Sequence, residues 1–108
     1  MSLPVPIDTA HKDPAILEVL GQLQSRLGSD AFVVTDHWES DRCAIGISSP
    51  RDAGVLVYIS CDRELPGMFG YELELPPLPG DAFPYRVMGR GSGVSFEELV
   101  GIASGHTA

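Results

Sequence analysis

Four segments rich in β-forming residues follow one another in the middle of the chain, and only short connections separate them. These segments are 31–38, 42–48, 55–61 and 68–75. Within each of them, apolar residues alternate with small or polar residues, as in strands that bury one face. The connections have room for hairpin turns but not for the crossover helix that parallel strands require. The sequence therefore predicts an antiparallel meander of four strands.

A helix precedes this meander, and both of its ends are marked. Asp13 is suited to cap the first turn, Pro14 tolerates the first helical position, and Gly28 is suited to end the helix. Between them, apolar residues recur at the spacing of one helix face: Ile16, Leu20, Leu23 and Leu27. We expect a helix over 14–27 with one face in the core.

A second helix is predicted after the strands. Ser95 and Glu98 have the spacing of a capping box, and Val94 and Leu99 have that of a hydrophobic staple, so the helix should cover 96–104. Before it, residues 84–89 fit a fifth, short strand, and Pro84 favours an edge position for that strand.

Together these elements predict an α+β fold: an antiparallel meander sheet of four to five strands with an N-terminal and a C-terminal helix packed on one face. Residues 1–12, with Pro4 and Pro6, are interpreted as an N-terminal arm, and residues 13–108 as a single domain. Strand alternation puts Asp36 on the apolar face, which indicates that the first strand leaves the core at that point.

The charge balance restricts the partners. The chain has 15 acidic residues against seven Lys and Arg, for a net charge of −8, and Lys12 is its sole lysine. The arginines are scattered and form no basic patch for phosphates, so we expect no nucleic-acid binding. No apolar run approaches the length of a bilayer span, and the first residues have no signal-peptide pattern, so we expect no membrane contact and a cytoplasmic location.

The side chains that usually perform catalysis or bind metals are not arranged for either task. Cys43 and Cys61 lack the spacing of a zinc site, and free buried thiols are expected. No nucleophile, base and orienting group stand in a recognisable pattern, so we predict no catalytic residue, no metal site and no cofactor, and consider an enzyme less favoured than a binding module.

Acidic and aromatic residues gather in the predicted hairpin turns and on the sheet face opposite the helices. Such a surface favours docking of a basic protein. The candidate partner-binding residues are Asp36, His37, Trp38, Glu39, Asp41, Tyr58, Asp62, Glu64, Glu72 and Glu74. In size, charge and layout the chain is similar to bacterial immunity or antitoxin-type proteins, which mask basic toxins, although it has no diagnostic motif of such a family.

Two alternatives remain open at this point. Residues 89–95, interpreted as a Gly-rich loop before the second helix, offer an anion-binding or enzymatic site for a small ligand at Arg90, Gly91, Ser92 and Gly93. The second alternative is a homodimer through the open sheet face, where Leu56 and Tyr58 are expected to be exposed.

Overall fold

The computed structural model describes residues 11–108, so residues 1–10 of the expected arm lie outside the described residues. Its elements, in chain order, are α1 (Pro14–Leu27), β1 (Val33–Thr35), β2 (Ala44–Ser49), β3 (Asp52–Ser60), β4 (Met68–Leu75), β5 (Arg86–Ser95) and α2 (Phe96–Thr107). The five strands form one antiparallel sheet in the order β1-β2-β3-β4-β5. The predicted α+β meander is confirmed, with five strands.

Both helices contribute to a core on one face of the sheet, as the matching apolar stripes predict. Leu23 of α1 and Leu99 of α2 are fully buried in the same cluster as Ile45 and Ile59 of the central strands. Alternate residues of β2 and β3 point away from this core because successive side chains of a strand face opposite sides. The helices thus leave the second sheet face to other contacts.

The predicted helix caps are also confirmed. The Asp13 side chain accepts a hydrogen bond from the amide of Ala15, and Pro14 is the first residue of α1. At α2, the Ser95 hydroxyl accepts from the Glu98 amide, and the Glu98 carboxylate accepts from the Ser95 amide. The helix continues to Thr107, beyond the predicted end at 104, because His106 and Thr107 also find partners: His106 Nε2 lies 2.8 Å from the Glu74 carbonyl oxygen, and the Thr107 hydroxyl donates to the Ala103 carbonyl.

Residues 89–95 are not a loop, and this prediction was wrong. They belong to β5, which pairs with β4 and forms one edge of the sheet. The glycines fit an irregular strand: a Cβ at Gly91 would lie only 2.6 Å from the Tyr71 ring, and Gly93 has a φ of +65°. Both positions lie beside the register shift between Phe69 and Tyr71, so glycine here accommodates a bulge rather than a mobile turn.

Strand β1 is shorter than predicted because the chain turns inward at Asp36. The Asp36 side chain accepts a hydrogen bond from the Trp38 amide and pairs with Lys12, whose Nζ lies 3.1 Å from Oδ2. The Lys12 side chain is 0% exposed and that of Asp36 is 1% exposed. Lys12 also donates to the carbonyls of Trp38 and Asp41, at 2.8 and 2.7 Å.

This buried ion pair connects the start of the described chain to the loop between β1 and β2. His11 Nε2 contacts the Glu39 carbonyl, Arg42 Nε donates to the His11 carbonyl, and the Asp13 amide donates to the Arg42 carbonyl. His11 and Lys12, which the sequence assigned to the arm, therefore pack with the folded domain.

Candidate functional site

An open cleft of about 290 Å³ lies on the sheet face opposite the helices. It is lined by three aromatic and two acidic residues: Trp38, Tyr58, Glu72, Glu74 and Tyr85. Hereafter we name it the aromatic–acidic cleft. Tyr58 belongs to β3, the two glutamates are alternate residues of β4, and Trp38 and Tyr85 come from loops.

Trp38 reaches this face from the loop between β1 and β2, where the carbonyls of Trp38 and Asp41 accept hydrogen bonds from Lys12. Its ring meets the Tyr58 ring nearly edge-on, with centroids 4.7 Å apart and an interplanar angle of 63°. A glycine beneath Trp38 makes this position possible, because a Cβ at Gly46 would lie 2.9 Å from the Trp38 ring and 2.8 Å from the Thr35 carbonyl oxygen. Trp38 therefore covers part of the sheet and forms one wall of the cleft.

Glu74 is the most buried acidic residue of the cleft, at 9% exposure. Among residues 11–108 its carboxylate has no hydrogen-bond or ion-pair partner. Burial raises the pKa of Glu74, the charge of Glu72 raises it further, and nearby His37 partly opposes the shift. The carboxylate of Glu74 thus lines the open cleft without a direct ion-pair partner, in surroundings that disfavour its charged form.

Glu72 is more accessible than Glu74. Its Oε2 lies 3.9 Å from Arg90 Nη2, and the Arg90 side chain is 72% exposed, so this is a loose surface pair. The cleft therefore holds two carboxylates, of which Glu72 faces an exposed arginine at the rim.

Further predicted acidic residues follow β1 and β3 in the chain, at the end of the sheet where these two strands terminate. Glu39 and Asp62 are exposed there, while Asp41 and Glu64 are half-buried. We call these four residues the acidic edge. The Asp41 carboxylate accepts from the Cys43 amide, and the Glu64 carboxylate accepts from the Gly93 amide at 2.6 Å. Glu39 and Asp62 are therefore the two members with side chains best placed for a partner.

The ten predicted partner-binding residues do not all reach the surface. Nine of them line the aromatic–acidic cleft, lie beside it, as His37 does against Trp38, or belong to the acidic edge. Asp36 is the exception, because its side chain is buried against Lys12 and is unavailable to a partner. Tyr85 was missed as a site residue. The sequence placed it in a short fifth strand over 84–89, but β5 begins at Arg86 and runs to Ser95, so Tyr85 lies in the connection before that strand.

The residues proposed for an anion site lie in a strand, whereas the sequence predicts a loop there. Arg90 faces Glu72, and the Gly93 amide is already bonded to the Glu64 carboxylate. Gly91 and Ser92 lie within strand β5. The amides that the alternative needed at a helix N-terminus are thus not gathered in a loop.

The apolar surface that the sequence predicts for a homodimer contact is less exposed than expected. Leu56 lies on the open face but is only 2% exposed, next to Trp38 over Gly46, so the chain itself already covers it. Tyr58 is half-buried.

The cysteines lie side by side, Cys43 just before β2 and Cys61 just after β3, and the Cys61 amide donates to the Cys43 carbonyl. Both are free, and burial together with contacts to Cys43 raises the pKa of the Cys61 thiol to about 12. A thiol with so high a pKa is a poor nucleophile.

Comparison of the chain with protein-family models, with curated proteins and with solved structures finds no match. Within residues 11–108, neither helix has the length and apolar character of a membrane span. In the same residues no three His, Cys, Asp or Glu side chains are grouped to hold a metal ion.

Proposed function

We propose that this chain is a noncatalytic, cytoplasmic binding module that docks a basic protein through the aromatic–acidic cleft and the acidic edge. The observation that carries the proposal is the position of Glu72 and Glu74 among three aromatic rings on the sheet face that the helices leave free. Aromatic side chains supply contact area at low entropic cost, and the carboxylates select a positive partner.

The acidic edge extends this surface. Trp38 and Glu39 are neighbours in one loop, so the ring that borders the cleft is adjacent to the exposed carboxylate of the edge. Negative charges outside the contact itself attract a basic protein during diffusion and speed its association. The similarity in size, charge and layout to bacterial immunity or antitoxin-type proteins supports a basic toxin as the class of partner.

The two alternatives receive less support. A phosphate at 89–95 would compete with the Glu64 carboxylate for the Gly93 amide and would lie near the negative charge of Glu72. A homodimer through Leu56 would require exposed apolar area that Trp38 already covers.

The proposal is tested with two variants of equal charge change. Glu39→Lys with Asp62→Lys reverses the exposed members of the acidic edge, and Glu18→Lys with Asp30→Lys reverses two exposed residues elsewhere. Association with a basic partner, purified from the native cytosol, is measured at increasing salt. We expect the edge variant to associate about tenfold more slowly at low salt and to lose most of the salt dependence, while the control stays near wild type.

Equal slowing by both variants would mean that only total charge matters, and the proposed surface would be wrong. Thermal melts of both variants check that the fold is intact, because exposed substitutions of this kind change stability little.

A further inference from the structure

We propose that the aromatic–acidic cleft receives one arginine side chain of the partner, an inference that rests on the proposed function. It specifies what the proposed function leaves open, namely which group of a basic protein enters the cleft.

One carboxylate of the cleft, that of Glu74, has no partner among the described residues. Glu74 is 9% exposed as a residue, and it lines the cleft, where its carboxylate has no hydrogen-bond donor and no Lys or Arg ion pair among residues 11–108. Nearby His37 favours its charge only in part. Desolvation and the neighbouring charge of Glu72 disfavour the charged form of this carboxylate, so a bound cation would stabilise it. A positive group that enters the cleft would supply this stabilisation.

The aromatic walls of the cleft have a shape that suits a flat cation. The Trp38 and Tyr58 rings meet at 63°, so they form a corner rather than a closed cage, and Tyr85, 44% exposed, flanks the opening. A flat guanidinium group can stack on one of these rings while its N–H groups point outward in its own plane, where they can meet acceptors.

The two carboxylates of the cleft are spaced so that one planar cation can reach both. Glu72 and Glu74 are alternate residues of β4, so their side chains share a face and lie roughly 7 Å apart at the backbone. A guanidinium group has five N–H donors in a fixed plane and can address two carboxylates at once, whereas a lysine ammonium is a compact point charge. These donors favour arginine over lysine.

Arg90 of this chain provides an internal comparison. It approaches Glu72 at 3.9 Å from the rim but makes no ion pair with Glu74. Arg90 is therefore a competitor for Glu72 that an incoming arginine must displace, and removing its charge should strengthen binding.

The test uses the full chain and a small probe. Trp38 is the sole tryptophan of the chain, so its fluorescence reports on the cleft directly. The probe is N-acetyl-arginine methylamide, and the matched control is the citrulline derivative, which has nearly the same shape but no charge. Titrations are made at constant ionic strength.

We expect a saturable change in Trp38 emission with a Kd on the order of 1 mM for the arginine probe, and at least about tenfold weaker binding of the citrulline derivative. Glu74→Gln should weaken arginine binding about tenfold, Glu72→Gln should also weaken it, and Arg90→Gln should strengthen it. Glu18→Gln, on the exposed side of α1, should leave it unchanged.

The corresponding lysine derivative and tetramethylammonium are titrated in the same way, as cations without a planar guanidinium group. The inference is overturned if the arginine probe gives no saturable change, if the citrulline derivative binds equally well, or if either of these two cations binds equally well. Any of these results would leave the proposed function standing if the charge-reversal experiment at Glu39 and Asp62 succeeds. Conversely, arginine binding in the cleft with no effect of those reversals would restrict the docking surface to the cleft.

Discussion

Replacing Lys12 by Met should destabilise the protein strongly, although Lys12 lies close to the start of the described chain. Its ammonium group is fully buried, pairs with Asp36, and donates to the carbonyls of Trp38 and Asp41. Methionine has similar length, but it leaves a buried carboxylate without a cation and two carbonyls without a donor. Removing one partner of a buried pair costs about 3–5 kcal/mol.

Urea unfolding measures this loss. With a slope of roughly 1.5 kcal/mol per molar urea for a domain of this size, the midpoint should fall by about 2–3 M. A partial rescue is expected when Asp36→Asn is added to Lys12→Met, because the amide keeps an acceptor for the Trp38 amide while the unpaired charge disappears. This double-mutant cycle isolates the interaction between the two side chains.

The chain offers a matched control in the bidentate pair of Arg26 and Glu97, whose side chains are 49% and 70% exposed. Arg26→Met should cost less than about 1 kcal/mol because exposed pairs contribute little. If Lys12→Met costs no more than Arg26→Met, or if Asp36→Asn gives no rescue, the argument from burial is refuted.

Glu74→Gln should increase stability near pH 7 by less than about 1 kcal/mol, because it removes a charge that the surroundings disfavour but that solvent still partly screens. Burial raises the pKa of Glu74 in the folded state, so the folded protein binds the proton more tightly than the unfolded one. Stability is therefore lost as the pH rises from the pKa of Glu74 in the unfolded chain to its higher pKa in the folded protein. The advantage of the Gln variant in a thermal melt should therefore vanish below about pH 4, and a variant less stable than wild type at pH 7 would contradict the reasoning. Ser95→Ala should cost about 1 kcal/mol in urea unfolding because the Glu98 amide loses its acceptor, and an unchanged midpoint would show that this cap contributes nothing.

The sequence predicts this fold well where local signals agree with the tertiary contacts. Asp13 and Pro14 fix the start of α1, and Ser95 and Glu98 fix the start of α2. The short connections among the first four strands exclude parallel pairing and favour the meander that the sheet adopts. Such signals depend on neighbours within a few residues, so a single sequence contains them.

The sequence-based predictions are wrong where contacts between residues far apart in the chain decide the structure. The buried position of Asp36 follows from strand alternation, but its partner Lys12 lies outside any periodic element, so the sequence offers no reason to join them. The glycines at 89–93 resemble a loop locally, and only the close approach of Tyr71 shows why a strand needs them. The aromatic–acidic cleft was partly predictable, since alternation places Tyr58, Glu72 and Glu74 on one face, whereas Trp38 and Tyr85 arrive from loops.

The position of β5 has a consequence for self-association of the folded chain into larger aggregates. An edge strand presents unpaired backbone amides and carbonyls, which invite strands from other molecules. Gly89, Gly91 and Gly93 lower the tendency of this edge to extend as a regular strand, and Arg86 and Arg90 add positive charges that repel an identical edge. The residues that made this segment look like a loop therefore make it a poor template for amyloid-like strand addition.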